Sequence, residues 1–259
     1  MKLVCGITTK NEEWIIGKTL NVLTKFCDKI IILDDNSNDE TRKICSSFKN
    51  IEWNVRKPRE NIWQRNEAEG LNECFNLAAK HNPEYILMLD ADEIPTPAFI
   101  NFFNSIDKNI NAWSVRMINL HKDEFNYRTD NFITSTGIKV NNDPFKDNGW
   151  RKTVLIKYDK NYNYTYNLNV QKGGTSKFHP MPQNLLNPIK NTEDFYIIHY
   201  GKLNEKYTNG EKDIFYAKIE EKDNKGSYEE RLKHHYLCRT GSGLYGPIYK
   251  KCPDNWFWS

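Results

Sequence analysis

The chain has 259 residues, 38% of them hydrophobic, and its 37 Lys and Arg against 34 Asp and Glu leave a formal charge of +3. That length can bury about three quarters of the unfolded surface in one large domain or two small ones, and so small a charge excess argues against a nucleic-acid partner. No apolar run approaches the roughly 18 residues of a membrane span and no signal peptide opens the chain, which predicts a cytoplasmic protein with no transmembrane segment. The six cysteines are widely spaced without a CxxC pair and read as reduced, structural thiols.

Residues 3–8 predict a first strand, and residues 12–26 a helix with Trp14, Ile15, Leu20, Leu23 and Phe26 on one face. A second strand over 29–33 ends at Asp34-Asp35, after which Asn36-Ser37-Asn38-Asp39 forms a turn and Asp39 caps a helix to about Phe48. Residues 51–55 form a weaker strand, and residues 63–81 read as a long helix turning Leu71, Cys74, Phe75 and Ala78 inward. The apolar run 85–89 is a buried strand leading into Asp90-Ala91-Asp92-Glu93-Ile94-Pro95. This alternation predicts a parallel sheet with helices on both faces.

Further on, Pro95-Thr96-Pro97 predicts the start of a short helix to about Ile106, residues 112–119 a strand, and residues 121–149 a long irregular segment. Residues 152–158 and 162–166 read as a hairpin, 195–200 as a last buried strand, and 205–225 and 227–238 as two solvated helices before an aromatic tail.

In such sheets ligands bind beyond the carboxyl ends of the strands. Thr8-Thr9-Lys10-Asn11-Glu12, Asp34-Asp35-Asn36-Ser37 and Asp90-Ala91-Asp92 all leave strand ends of that kind, so one folded edge would collect them. Asp90 and Asp92, two positions apart, present their carboxylates to one side, roughly 6–7 Å apart in an extended chain. Such oxygen-only donors suit Mg²⁺ or Mn²⁺. The same acids would also suit a solvated turn.

With Lys10-Asn11-Glu12, the acidic stretch from Asp34 to Glu40, Arg65-Asn66 and Leu89-Asp90-Ala91-Asp92-Glu93 in this order, the chain resembles the family 2 glycosyltransferases of GT-A fold. The resemblance implies an α/β, Rossmann-like domain with a mostly parallel central sheet. Residues 1–120 would be its nucleotide-sugar half, 121–204 its acceptor side, and 205–259 a C-terminal helical and aromatic extension. It further implies a nucleotide-diphospho-sugar donor, a glycan or other hydroxyl acceptor, a Mn²⁺ or Mg²⁺ ion, and inversion at the anomeric carbon. Carried onto this sequence, it points to Thr8, Asn11, Glu12, Asp35, Arg65 and Asp90 for the donor, and to Asp92 and His199 for the metal. Glu193 or Asp194 would be the general base, with Asp143 and Asp147 as competitors, and Arg128 or Arg151 could add charge to the phosphates. Arg65 also suits a solvated helix face, His199 a satisfied core histidine, and Glu193 and Asp194 a turn. His179 stands where relatives carry a His-Glu pair, but Pro180 replaces the acid. The alternatives are a sugar-1-phosphate nucleotidylyltransferase, which would want a glycine-rich loop after the first strand, and a non-catalytic nucleotide- or glycan-binding module.

Overall fold

The computed structural model describes residues 1–58, 67–133, 139–141, 143–146, 151–162, 189–222, 226–240 and 247–258. Strands β1 (Leu3–Thr9), β2 (Lys29–Asp34), β3 (Ile51–Val55) and β4 (Tyr85–Asp90) pair in parallel in the order β3-β2-β1-β4. Helices α1 (Ile16–Leu23), α2 (Thr41–Ser46) and α3 (Glu67–Ala79) connect them, as the alternation predicts. Ile30, Ile31, Ile32 and Leu33 have no exposed surface, so consecutive residues pointing to opposite faces are both covered. On one face Cys74, Phe75 and Ala78 of α3 pack on Val4, Ile31, Leu33, Ile86 and Met88. The close approach depends on Gly6, where an added Cβ would fall 2.8 Å from Met88 Sδ and 3.0 Å from Cys74 Sγ.

Downstream lie β5 (Glu93–Pro95), α4 (Ala98–Asn104), β6 (Ala112–Asn119), β7 (Asn126–Arg128), β8 (Asn131–Ile133), β9 (Lys139–Asn141), β10 (Arg151–Lys157) and β11 (Ile189–His199). They are followed by α5 (Glu205–Thr208), α6 (Glu211–Lys222), α7 (Tyr228–Thr240) and β12 (Tyr249–Lys251). Among the described residues the main sheet has eight strands in the order β3-β2-β1-β4-β10-β6-β11-β5, with β10 antiparallel to β4.

Several expectations change in this half. The short helix begins at Ala98, not at Pro95: Glu93–Pro95 is an edge strand, and Thr96 exchanges hydrogen bonds with Tyr196, N–H to carbonyl at 2.9 Å and hydroxyl from N–H at 3.1 Å. The first arm of the expected hairpin is β10, which pairs with β4, and the second arm falls outside the described residues except for Tyr162. The segment 121–149 is not irregular throughout, since it holds β7, β8 and β9. The helix expected over 205–225 is split at Gly210, whose φ of +88° is a left-handed conformation that ends α5.

The chain divides into two compact units, one of Met1–Val115, Arg151–Ile197 and Trp258–Ser259, the other of Arg116–Trp150 and Ile198–Phe257. In the first unit Trp258 stacks on Phe26 and donates from its indole to the Pro95 carbonyl at 2.7 Å. In the second, β12 pairs with β7, and the fully buried Arg128 is satisfied by Asp130 and the carbonyls of Cys238 and Arg239.

Candidate active site

Register places the strand exits side by side: Thr8 of β1 is level with Asp90 of β4, and Thr9 with Asp34 of β2. Thr8 Oγ1 reaches Asp90 Oδ1 at 3.4 Å. Beyond β1 the chain turns at Asn11, with φ of 54°, and beyond β2 at Asn36, with φ of 61°; asparagine tolerates this left-handed backbone better than other non-glycine residues. The two turns interlock. Ser37 Oγ accepts from the Asn11 N–H at 2.8 Å, Asn11 Oδ1 accepts from the Asn38 N–H at 2.9 Å, and the Glu12 N–H donates to Thr41 Oγ1 at 2.9 Å. Glu12 also accepts from the Trp14 indole at 2.6 Å.

The paired acids after β2 have separate roles. Asp34 is buried and accepts from the Ser37 N–H at 2.8 Å and its hydroxyl at 2.5 Å, so it builds the turn. Asp35 keeps 21% of its side chain exposed, and its carbonyl accepts from Lys10 Nζ at 2.7 Å. Thus Thr8, Asn11, Glu12, Asp35 and Asp90 all lie at one edge of the first unit, as the sequence reading requires.

At the exit of β4 the two acids also differ. Asp90 has 40% of its side chain exposed, whereas Asp92 is only 8% exposed and is not a solvated strand-end acid. Directly after Asp92 the chain enters β5, which joins the far edge of the sheet beside β11. Two residues missed by the sequence reading complete this corner. Lys152 Nζ lies 2.6 Å from Glu93 Oε2 and 3.0 Å from Asp90 Oδ2, and Glu93 Oε2 also accepts from the Asp90 N–H at 2.9 Å. Burial on its own would push the Lys152 ammonium down, but the Asp90 and Glu93 carboxylates outweigh it and hold it well above the ordinary lysine range. The signal was present in β10: Lys152, Val154 and Ile156 share one strand face, and a charge on an otherwise apolar face needs a partner.

Glu193 and Asp194 lie inside β11, not ahead of it, because that strand begins at Ile189. Glu193 forms an ion pair with Arg151, whose guanidinium also donates to the carbonyls of Ser114 at 3.3 Å and Thr192 at 3.2 Å. Asp194 accepts from the Thr192 hydroxyl at 2.8 Å. His199, Arg128 and Asp143 belong to the second unit; there His199 Nδ1 is 2.5 Å from Asn119 Oδ1, and Asp143 is buried and accepts from the Phe145 N–H at 3.0 Å. Arg65, Asp147 and His179 lie outside the described residues.

Among the described residues no group of three or more His, Cys, Asp or Glu is arranged to hold a metal ion. The oxygen-only carboxylate of Asp92 nevertheless fits a hard cation that takes its remaining ligands from water and phosphate. Among the described residues, no helix is long and apolar enough to cross a membrane.

Parallel strands flanked by helices, with acids and amides gathered at adjacent carboxyl ends, define an α/β chain of GT-A architecture. The description "Glycosyl transferase family 2" matches residues 5–175, and the chain belongs to that family. Two uncharacterized proteins, from Mycobacterium bovis and Mycobacterium tuberculosis, are each 28% identical over 96 residues, which is 36% of this chain and 23% of theirs. The chain therefore covers less than a quarter of the length of those relatives. Among solved structures, S. aureus TarS 1-349 in complex with UDP-GlcNAc is similar at 21% identity and a TM-score of 0.40, over 48% of this chain and 36% of that one. Glucosyl-3-phosphoglycerate synthase from Mycobacterium tuberculosis, in complex with Mn²⁺, UDP and glucosyl-3-phosphoglycerate, is similar at 20% identity and a TM-score of 0.35, over 46% and 44%.

Proposed function

We propose that the chain is a metal-dependent glycosyltransferase that moves a sugar from a nucleotide-diphosphate donor to an acceptor hydroxyl with inversion. Family membership supports the reaction class. The observation that carries the site is the convergence of Thr8, Asn11, Asp35 and Asp90 at the neighbouring exits of β1, β2 and β4.

In this reading Thr8, Asn11, Glu12 and Asp35 take the base and ribose, for which a mixed set of hydroxyl, amide and carboxylate groups offers both donors and acceptors. Asp90 takes hydroxyls of the donor, and Asp92 holds the divalent cation. When bound, that cation neutralises charge growing on the departing diphosphate. Inversion needs a carboxylate to receive the acceptor's proton on the face opposite the leaving group, and Glu193 or Asp194 fills that role.

The test is incubation with a panel of radiolabelled nucleotide sugars and Mn²⁺, resolving nucleoside diphosphate from other products. Release of a nucleoside diphosphate with label moved to an acceptor or to water is expected. Binding without turnover would make the chain a binding module, and formation of sugar-1-phosphate with nucleoside triphosphate on adding pyrophosphate would make it a nucleotidylyltransferase.

A further inference from the structure

The corner formed by Asp90, Glu93 and Lys152 lies within the first unit and is built from three strands, β4, β5 and β10. Glu93 is 1% exposed and Lys152 8% exposed. A buried carboxylate and a buried ammonium at 2.6 Å form a pair that neither partner could leave without stranding a charge in the sheet. The ammonium also reaches the more exposed Asp90, 3.0 Å from Oδ2, while Thr8 approaches Oδ1 at 3.4 Å. Glu93 Oε2 closes the turn by accepting from the Asp90 N–H at 2.9 Å. The position between the two carboxylates, where a dication would otherwise be drawn, is therefore filled by a side chain covalently fixed to β10.

We propose that Lys152 is a positioning residue that serves as the resident cation of this strand exit, fixing Asp90 and Glu93 and keeping a divalent ion off Asp90, so that the metal is carried by Asp92. Two like charges cannot share this corner cheaply, because a dication beside the ammonium would meet direct Coulomb repulsion in a site that little water reaches to screen. Asp90 is thereby left as a hydrogen-bonding carboxylate, and a sugar or ribose hydroxyl can meet it without competing for a metal. That last step rests on the glycosyltransferase reading; the exclusion of metal from Asp90 does not.

The test is titration of Mn²⁺ without nucleotide, followed by the electron paramagnetic resonance of the unbound ion, in the wild-type chain, Lys152→Met, Lys152→Arg and Lys152→Met/Glu93→Gln. The double variant guards against misfolding, because it leaves no charged group unpaired at Glu93. Both methionine variants should bind Mn²⁺ at least about tenfold tighter than wild type, a change of about 1.4 kcal/mol, and Lys152→Arg should stay near wild type. Adding Asp90→Asn to the double variant should remove the gain. The proposal is overturned if the double variant binds Mn²⁺ no tighter than wild type, or if the gain survives Asp90→Asn. Neither readout needs turnover, so failure of the glycosyltransferase assay and failure of this proposal are separately visible.

Discussion

Ser37 bonds Asp34 and Asn11 at once: its hydroxyl donates to Asp34 Oδ1 at 2.5 Å and accepts from the Asn11 N–H at 2.8 Å. One side chain thus locks the turn after β2 to the loop after β1, and both bear donor-site candidates.

Ser37→Ala should therefore affect binding more than chemistry. It leaves the Asn11 N–H without this acceptor, at a cost of about 1–3 kcal/mol, and lets the loop carrying Asn11 and Glu12 drift. The expected result is a raised KM for the donor with a smaller change in kcat, the pattern of lost uniform binding. Steady-state kinetics together with urea unfolding check it; an unchanged KM with collapsed kcat would move the reacting centre to this loop.

Asp92→Asn should abolish metal-dependent turnover. Because Asp92 is only 8% exposed, it should also lower stability by about 1–3 kcal/mol, more than the half kilocalorie usual for surface changes. Mn²⁺-dependent rates and thermal unfolding measure the two effects, and near-normal Mn²⁺-dependent activity would remove Asp92 from the metal site.

The N-terminal part of the fold was legible because its strands are short apolar runs ending in acids, and each exit shows in sequence as a change from Ile or Leu to Asp or Thr. Asp35 and Asp90 stand at such changes, so their places at the strand ends show in the sequence. Burial of Asp92 was not legible, since it depends on Glu93–Pro95 joining the far edge of the sheet, a pairing between residues distant in sequence. The same holds for Lys152, whose partners Asp90 and Glu93 lie about sixty positions away, and for the long β11, whose first half, Ile189-Lys190-Asn191-Thr192-Glu193-Asp194, has little apolar pattern.

Glu193→Gln tests the general base. If Glu193 takes the acceptor proton, transfer falls by about 10²–10⁴ with donor binding preserved. The acid limb of the pH–rate profile should vanish with it. Because Arg151 holds Glu193 and the carbonyls of Ser114 and Thr192, Arg151→Met should reduce stability as well as transfer. A Glu193→Gln enzyme with unchanged rate and profile would assign this acid to the ion pair alone and move the role to Asp194.

His121 should make the second unit acid-sensitive. Burial, then the charges of Lys202, Arg128 and His199, push its imidazole down to about 2, so it stays neutral when folded. A group depressed on folding contributes stability that is complete above its unfolded value of about 6.5 and is lost as pH falls from there toward 2. At pH 5 the loss should be about 2 kcal/mol. His121→Phe, which keeps a ring against Tyr207, should flatten the dependence by one proton. Urea midpoints at pH 5 and pH 7.5 for both proteins check this; equal slopes would contradict it.

The most direct measurement is a crystal structure with Mn²⁺ and each of UDP, GDP and dTDP in turn, using anomalous scattering to place the ion. One nucleotide should lie across the exits of β1, β2 and β4, with its base and ribose against Thr8, Asn11 and Asp35. Its diphosphate should meet a Mn²⁺ peak at about 2.0–2.2 Å from an Asp92 carboxylate oxygen, the range of hard-cation bonds. Nucleotide bound away from those strand ends, or a metal peak remote from Asp92, would contradict the account.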